Sequence, residues 1–261
     1  MNLQLVKSFI SHRLKSNTRH GVHSPFVYNL IDEVIYDLEP KKIYEPVEML
    51  RKELLNDDRE IAITDLGAGS MVNNNSKKKI STLAKNALKP AKLAQLIYRI
   101  VNELKPEKSL ELGTCLGLTT AYIAKANPAG KLITVEGCPQ TAGIAKENLN
   151  KLSINNADLK VGNFDIVLPQ ILAETQPIDF AFIDGNHREE ATLNYFELLL
   201  PALTENSFLI FDDIYWSKGM EKAWEKIKQH PQVTVTIDLF WIGLVFFKKD
   251  QARQHFTVNI K

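Results

Sequence analysis

Hydrophobic and polar positions follow two alternating patterns along the second half of the chain. Short apolar runs, typical of buried strands, alternate with longer segments in which apolar residues recur every three or four positions, as on one face of a helix. The predicted strands cover residues 108–112, 131–136, 157–161, 178–183, 206–211, 233–238 and 242–248. The predicted helices cover residues 118–126, 139–152, 165–174, 188–202 and 218–229. This alternation predicts right-handed βαβ units and a mostly parallel sheet with helices on both faces.

The last two predicted strands are joined only by Leu239-Phe240-Trp241. Parallel neighbours need a much longer crossover connection, so these two strands must be antiparallel. The predicted fold class is therefore α/β, a Rossmann-like, doubly wound, mostly parallel seven-stranded sheet with an antiparallel last strand. We expect this domain to cover residues 85–261 and to follow an N-terminal helical extension, residues 1–84.

The extension begins as an amphipathic helix, in which five apolar residues fall at helical spacing: Leu3, Val6, Phe9, Ile10 and Leu14. Its start is basic and rich in histidine, with His12, Arg19, His20 and His23. One interpretation is a solvated face that turns into a loop before Pro25. The other is an ordered loop over residues 19–26 that lines a substrate entrance. The spacing of the histidines matches no usual zinc pattern.

A glycine-rich segment, Ile61 to Ser70, resembles a nucleotide-binding loop after a strand, but its surroundings argue against that role. The following residues 72–79 are polar, where a first crossover helix would begin with apolar residues, and no second strand ending in an acid follows. We interpret the segment as unrelated to cofactor binding; the alternative is a lid or substrate loop that closes over a ligand. Residues 76–89 are predicted to be a helix.

A second glycine segment carries the main chemical signal. The strand Leu110–Leu112 is followed by Gly113 and Gly117, four positions apart, and the next strand ends in Glu136. Glycines let a backbone approach a ligand, and an acid at the end of the second strand accepts hydrogen bonds from ribose hydroxyls. The glycine spacing differs from GxGxxG, and no GK[ST] is present. The pattern favours S-adenosylmethionine (SAM) over NAD or ATP.

These residues resemble the first two motifs of class I SAM-dependent methyltransferases, and most of all the small-molecule O-methyltransferases related to catechol O-methyltransferase. The resemblance covers roughly residues 85–248. It implies that Glu136 binds the ribose, that Thr119 binds the methionine carboxylate and that the turn 162–164 meets the adenine. The full set of expected cofactor-binding residues is Glu111, Gly113, Thr114, Gly117, Thr119, Glu136, Gly162, Asn163, Phe164 and Asp184. We expect Asp165 to cap the next helix.

Three acidic residues follow the fourth and fifth predicted strands. Asp184 follows one strand, and Asp212 and Asp213 follow the next. The carboxyl ends of strands in an open α/β sheet face one crevice, and converging carboxylates repel one another unless a proton or cation intervenes. Because hard cations prefer oxygen ligands, these three residues are candidate ligands for Mg²⁺, Mn²⁺ or Ca²⁺. The alternative is that Asp184 only contacts SAM and that the pair caps a turn.

The segment departs from the catechol-type pattern at two positions. Asp213 stands where those enzymes carry asparagine, and His187 stands where they carry a lysine base. Ile-Asp-Gly-Asn-His resembles a bacterial branch with Ile-Asp-Gly-Asp-His. A neutral histidine is a reasonable general base near pH 7, so His187 and Asp184 are the candidate catalytic residues; His187 could instead bind the metal. We expect the nearby aromatic residues Tyr215, Trp216 and Trp241 to serve core packing rather than substrate stacking.

Composition narrows the class of partner. A net charge of +1 provides no overall field for nucleic acid or a membrane surface, and no apolar run approaches the length of a membrane span. Two cysteines, Cys115 and Cys138, suit a reducing compartment. We therefore expect a cytoplasmic SAM-dependent enzyme that methylates a hydroxyl of a small molecule with the help of a divalent cation. A homodimer is compatible with this class, since related enzymes are often dimers. The alternatives are a metal-independent methyltransferase acting on nitrogen, RNA or protein, and a non-catalytic SAM-binding domain.

Overall fold

The computed structural model describes residues 3–16, 22–64 and 76–260. The chain divides into two compact units. The first, here called the central unit, is Leu38–Val167, and the second, the split unit, combines Met1–Asp37 with Leu168–Lys261. The domain boundary at residues 84 and 85 stays a prediction.

The helices of the described residues are α1 (Leu3–Lys15), α2 (Pro25–Asn29), α3 (Tyr44–Leu54), α4 (Ile80–Ala87), α5 (Ala91–Leu104), α6 (Leu118–Ala126), α7 (Pro139–Lys151), α8 (Phe164–Glu174), α9 (Glu189–Leu199) and α10 (Lys218–Gln229). A π-helical segment, Leu30–Ile35, follows α2. The strands are β1 (Glu60–Ile63), β2 (Ser76–Lys79), β3 (Lys108–Leu112), β4 (Lys131–Glu136), β5 (Ala157–Val161), β6 (Ile178–Ile183), β7 (Leu203–Asp212), β8 (Val235–Asp238), β9 (Ile242–Phe246) and β10 (Gln254–Thr257). None of the helices in these described ranges is long and apolar enough to cross a bilayer.

The central unit contains the first predicted βαβ units. Strands β3, β4 and β5 pair in parallel, with α6 and α7 as the connections between them. Leu110, Leu112 and Val135 are fully buried, as expected for strands that are covered on both faces. Glu111 on β3 lies opposite Thr134 on β4. The register thus brings the glycine loop after β3 beside the end of β4.

The split unit confirms the antiparallel strand and adds one strand to the prediction. Strands β6 and β7 are parallel, whereas β9 is antiparallel to both β7 and β8. All seven predicted strands are present in the described chain, and the mostly parallel fold class is confirmed. In addition, β10 pairs in parallel with β8. Its sequence, Gln-His-Phe-Thr, contains one apolar residue, Phe256, so the apolar pattern gave no signal for it.

The prediction of a helix over residues 76–89 was wrong at its beginning. Ser76–Lys79 forms β2, which pairs antiparallel with β1, and α4 begins only at Ile80. The three lysines of β2 are exposed, so a two-stranded ribbon accommodates them without burying a charge. Pairing of β1 with β2 agrees with the interpretation that Ile61 does not open the main nucleotide-binding unit. Residues 65–70 of the glycine-rich segment lie outside the described residues.

Helix α1 is confirmed, but the solvated-face interpretation of its start was wrong at His12. That side chain is buried, whereas Ile10 and Leu14 are 54% and 83% exposed. Ser8 of α1 donates a hydrogen bond of 2.6 Å to Glu221 of α10, and His12 lies against the end of β8. Polar contacts therefore decide which face of α1 is buried. Arg19, His20 and Gly21 of the proposed entrance loop lie outside the described residues, and His23 is exposed.

Candidate functional site

The loop between β3 and α6 is wound tightly by residues with positive φ. Gly113, Cys115 and Gly117 have φ angles of 108°, 49° and 81°. The amides of Gly113 and Thr114 both donate to the carbonyl of Val135, at 2.9 and 3.2 Å. A Cβ atom on Gly117 would lie 3.4 Å from the backbone of α7, and its φ disfavours any L side chain. The two glycines are therefore required by the path of the loop, which brings free amide groups to the first turn of α6.

Glu111 is fully buried beneath this loop. Its Oε2 atom accepts hydrogen bonds from the hydroxyls of Thr120 and Thr134, at 2.5 and 2.6 Å. The hydroxyl of Thr134 also lies 2.6 Å from that of Thr114. This network connects the strand, the loop and the first turn of α6, so it fixes the orientation of the Glu111 carboxylate. Thr119, beside Thr120, is half-buried at the same helix terminus.

Glu136, at the end of β4, is oriented by backbone amides. Its two carboxylate oxygens accept hydrogen bonds from Cys115 N–H at 2.8 Å and from Cys138 N–H at 2.9 Å. Burial raises the pKa of this carboxyl above its ordinary value, and the amide hydrogen bonds oppose that shift only in part. The amide of Gly137 also contributes to this support. Because a carboxylate has about four lone-pair sites, the side chain can still accept from a hydroxyl of a bound ligand.

The turn after β5 contains Gly162, Asn163 and Phe164. The amide of Gly162 donates to the carbonyl of Glu136 at 3.0 Å. The Oδ1 atom of Asn163 accepts from Asp165 N–H at 2.8 Å, so Asn163 caps α8, and the prediction that Asp165 is the cap was wrong. Asp165 instead lies in the first turn, where a negative charge is favourable. The geometry thus places the expected adenine-binding turn beside Glu136, the acid expected to bind the ribose.

The carboxylate cluster in the split unit follows from the register of two parallel strands. Ile183 at the end of β6 is paired with Phe211 near the end of β7, so Asp184 and Asp212 emerge side by side. Ligand atoms of Asp184, His187 and Asp212 all lie within 4.8 Å of one another. Asp212 is buried, whereas Asp184 and His187 are partly exposed. Two carboxylates and an imidazole at this spacing form a donor set that fits a divalent cation.

Asp213 lies at the edge of this cluster rather than in its centre. Its Oδ2 atom is 4.0 Å from Nε2 of His187, and that nitrogen is 3.7 Å from Oδ1 of Asp184. Asp213 has a φ of 52°, and its amide donates to the carbonyl of Trp241 at 2.8 Å. The structure therefore brings all four sequence-predicted residues together, with His187 closest to the expected pair of ligands.

The aromatic residues near the cluster differ in their environment. Tyr215 is half-buried and stacks on Phe240, with ring centroids 4.9 Å apart. Trp216 and Trp241, in contrast, are 58% and 43% exposed. The expectation of core packing was therefore wrong for both tryptophans. Their exposure leaves two aromatic faces available to a ligand.

Comparison with known proteins agrees with this geometry. Residues 110–214 match a family model described as a methyltransferase domain, and the match includes the glycine loop, Glu136 and the carboxylate cluster. The matched segment is similar to this family of domains over its whole length. The resemblance to the class I SAM-dependent methyltransferases is confirmed by this match, whereas the Ile-Asp-Gly-Asn-His motif stays a prediction.

The curated relatives match the same part of this chain. A catechol O-methyltransferase of Niastella koreensis is 31% identical over 108 residues, which is 40% of this chain and 48% of that protein. A human transmembrane O-methyltransferase is 34% identical over 116 residues, 41% of this chain and 40% of that protein. The chain thus spans about half of the length of the curated relatives it matches.

Solved structures share the fold over most of the chain. An O-methyltransferase from Bacillus cereus in complex with SAH covers 90% of this chain and 99% of that one, with 18% identity and a TM-score of 0.57. A SAH-bound methyltransferase from Podospora anserina covers 87% of this chain and 98% of that one, with 12% identity and a TM-score of 0.59. At these identities the likeness establishes the Rossmann-like fold.

Sequence reasoning missed the residues that support the site. Thr120 and Thr134 bind the Glu111 carboxylate, and their hydroxyls gave no signal within apolar segments. Asp238 and His12, which are 226 positions apart in the chain, form a buried pair with 3.0 Å between Nε2 and Oδ1. The only available signal for Asp238 was a carboxylate at the end of an apolar strand, which also marks Asp184 and Asp212.

Proposed function

We propose that this protein transfers the methyl group of SAM to a hydroxyl of a small molecule, with the assistance of a divalent cation. The observation that carries the proposal is the cluster of Asp184, His187 and Asp212, whose ligand atoms lie within 4.8 Å of one another. The methyltransferase domain supplies the reaction class, and the cluster supplies a means of activating a hydroxyl. The names of the relatives, which are O-methyltransferases, agree with an oxygen acceptor.

The cofactor is proposed to bind at the glycine loop of the central unit. Glu136 would accept from a ribose hydroxyl through a lone pair that its amide donors leave open. The first turn of α6, with Thr119 and the adjacent amide groups, is suited to the methionine carboxylate because helix N-termini attract anions. Glu111, Gly113, Thr114 and Gly117 shape the methionine side. Gly162, Asn163 and Phe164 would face the adenine, and Asp184 is proposed to contact the cofactor as well.

The chemistry proposed for the cluster is activation of the acceptor hydroxyl. Asp184, Asp212 and Asp213 would hold a Mg²⁺, Mn²⁺ or Ca²⁺ ion, which when bound lowers the pKa of a coordinated hydroxyl. His187 accepts the hydroxyl proton, and Asp184, 3.7 Å from Nε2, stabilises the resulting imidazolium. The new O–CH₃ bond forms as the S–CH₃ bond breaks, and the electron pair of that bond returns to sulfur to give S-adenosylhomocysteine.

The acceptor is proposed to be a planar phenol or vicinal diol. The exposed faces of Trp216 and Trp241 suit stacking by an aromatic ring, and such stacking contributes on the order of 1 kcal/mol beyond area burial. Two adjacent oxygens would chelate a cation through both substrate atoms. The name of the Niastella koreensis relative, catechol O-methyltransferase, agrees with this acceptor class.

The test is a calorimetric titration of Mg²⁺ and Mn²⁺ into the protein with S-adenosylhomocysteine already bound. Asp212→Ala is expected to weaken cation binding by at least tenfold while leaving affinity for S-adenosylhomocysteine nearly unchanged. Asp250→Ala, which removes the same side chain at an exposed turn, is the matched control and is expected to bind normally. Retention of full turnover by Asp212→Ala in the presence of a chelator would overturn the role of the cation. The search would then extend to His187-dependent transfer onto amines and macromolecules.

A further inference from the structure

A second buried carboxylate in the split unit, Asp238, ends strand β8 and is only 3% exposed. Its Oδ2 atom accepts from the hydroxyl of Tyr215 at 2.7 Å and from the indole N–H of Trp224 at 3.0 Å. Its Oδ1 atom accepts from Phe240 N–H at 3.0 Å and lies 3.0 Å from Nε2 of His12. Four donors from four segments of the chain thus converge on one side chain.

The charge on Asp238 is stabilised by these donors. Burial raises the pKa of its carboxyl, but the hydrogen bonds from His12, Phe240 N–H and Tyr215 outweigh it, so the pKa lies below the ordinary value. Burial, with the nearby carboxylate, raises the pKa of Tyr215, which therefore stays a hydrogen-bond donor. Because both oxygens are occupied by protein donors, Asp238 is suited to hold its neighbours in place rather than to bind a ligand.

Asp238 is connected to the candidate cation site through two routes. The first is Tyr215, three residues after Asp212, whose hydroxyl it binds directly. The second is the turn between β8 and β9. Asp238 caps that turn by accepting from Phe240 N–H. The carbonyl of the following residue, Trp241, accepts from Asp213 N–H at 2.8 Å. Asp213 and Phe240 both have positive φ, 52° and 71°, so each needs its neighbours to keep this conformation.

Helix α1, which is distant in the sequence, packs against the groups that surround Asp238. The ring of His12 meets Phe240 and Tyr215 edge to face, with centroids 5.5 and 6.0 Å apart. Phe9 packs in the same manner on Phe240 at 5.0 Å. The contact of Ser8 with Glu221 holds α1 along α10. The N-terminal helix therefore contributes directly to the support of the segment that carries Asp212 and Asp213.

We propose that Asp238, together with His12, is a positioning residue for the cation-binding carboxylates. It fixes the backbone of Asp213 through the Phe240–Trp241 turn and the path of the following loop through Tyr215. This inference rests on the proposed function, since it gives the N-terminal helix a role in cation-assisted methyl transfer. Neither Asp238 nor His12 contacts the reacting atoms.

The experiment compares Asp238→Asn with Thr236→Val. Thr236 is buried on the same strand, but its hydroxyl pairs with His255, 2.9 Å away, instead of with the cluster. Hydrogen exchange at the amide of Asp213 is measured without metal, and Mn²⁺ binding is measured by electron paramagnetic resonance with S-adenosylhomocysteine present. Asp238→Asn is expected to speed exchange at Asp213 at least tenfold and to weaken Mn²⁺ binding at least tenfold. Affinity for S-adenosylhomocysteine should be unchanged, and Thr236→Val should alter none of these values.

The outcomes separate this inference from the proposed function. Failure of the wild-type protein to bind Mn²⁺ would overturn the cation in the proposed function, while exchange at Asp213 would still test the positioning. Unchanged exchange and unchanged Mn²⁺ affinity in Asp238→Asn would overturn the inference. If Asp238→Asn does not fold, His12→Gln and Trp224→Phe each alter one donor. A role confined to global stability would speed exchange equally at Asp213 and in the centre of β7, and would also overturn the inference.

Discussion

Two strands end in carboxylates that differ in what surrounds them: Glu136 is half-buried and Asp238 is buried. Glu136 ends β4 in the central unit, and the donors recorded for it are backbone amides; burial leaves its pKa above the ordinary value. Asp238 ends β8 in the split unit, and its donors include a phenol, an indole and an imidazole; its pKa lies below the ordinary value. The same position at the end of a strand thus gives two opposite electrostatic outcomes.

The difference indicates which carboxylate is arranged for a ligand. Glu136 retains a lone pair and carries an uncompensated desolvation cost, which a hydroxyl of a bound ribose would relieve. Asp238 is already fully satisfied by the protein, so any change there removes support instead of a binding contact. An acid whose desolvation the protein's own hydrogen bonds do not offset is therefore the better candidate for a binding residue.

The largest effect that tests this comparison is expected from Asp238→Ala. Loss of the carboxylate leaves the buried His12 and Trp224 and the half-buried Tyr215 without their acceptor, which costs about 3–5 kcal/mol of unfolding free energy. Urea unfolding at pH 7 measures the loss, with Thr236→Val as the control. A loss of unfolding free energy below about 1 kcal/mol would contradict the description of Asp238 as a residue that holds its buried neighbours in place.

The next largest effect concerns Glu136→Ala, which is expected to change binding more than folding. Removal of a charge-assisted hydrogen bond to the ribose should weaken affinity for SAM by about 100-fold, or roughly 3 kcal/mol. Calorimetry with S-adenosylhomocysteine measures the change. Glu147→Ala, an exposed acid on α7, is the control. Affinity within threefold of the wild-type value would remove Glu136 from the cofactor site.

The opposite pKa shifts predict opposite dependences of stability on pH. The folded-state pKa of Glu136 is raised, so its contribution is lost as pH increases from about 4 through that pKa. The folded-state pKa of Asp238 is lowered, so its contribution is present above about pH 4 and is lost as pH falls through that pKa. Glu136→Gln should therefore raise the Tm of the ligand-free protein at pH 7 by a few degrees. Scanning calorimetry between pH 3 and 8 measures both slopes, and a lower Tm for Glu136→Gln would contradict this account.

The smallest effect on stability is expected for a side chain that contacts neither Glu136 nor Asp238 and is exposed. Trp216→Ala, at a residue that is 58% exposed, should change the unfolding free energy by no more than about 0.5 kcal/mol. Its KM for an aromatic acceptor should rise about fivefold, because stacking contributes on the order of 1 kcal/mol. Steady-state kinetics with a vicinal diphenol provides the measurement. An unchanged KM would place the acceptor elsewhere.

Some of the site was predictable because it depends on short segments. The two glycines lie in the loop directly after β3, and the acids stand at or directly after the ends of β4, β6 and β7, so local pattern determines each of them. The lysine-rich segment 76–79 misled the prediction because polar residues without a period fit an exposed hairpin as well as a helix. The burial of His12 had no local signal, since its partner Asp238 lies far away in sequence.

The sequence by itself determined the α/β class, the positions of the main strands and the residues from which the glycine loop and the carboxylate cluster are built. These features follow from apolar periodicity and from the backbone freedom of glycine, which act over neighbouring residues. Only the tertiary structure decided that His187 joins Asp184 and Asp212, that Trp216 and Trp241 remain exposed and that α1 supports the end of β8. Those outcomes depend on which polar groups must find partners once they are buried, and the partners come from segments that pattern alone does not connect.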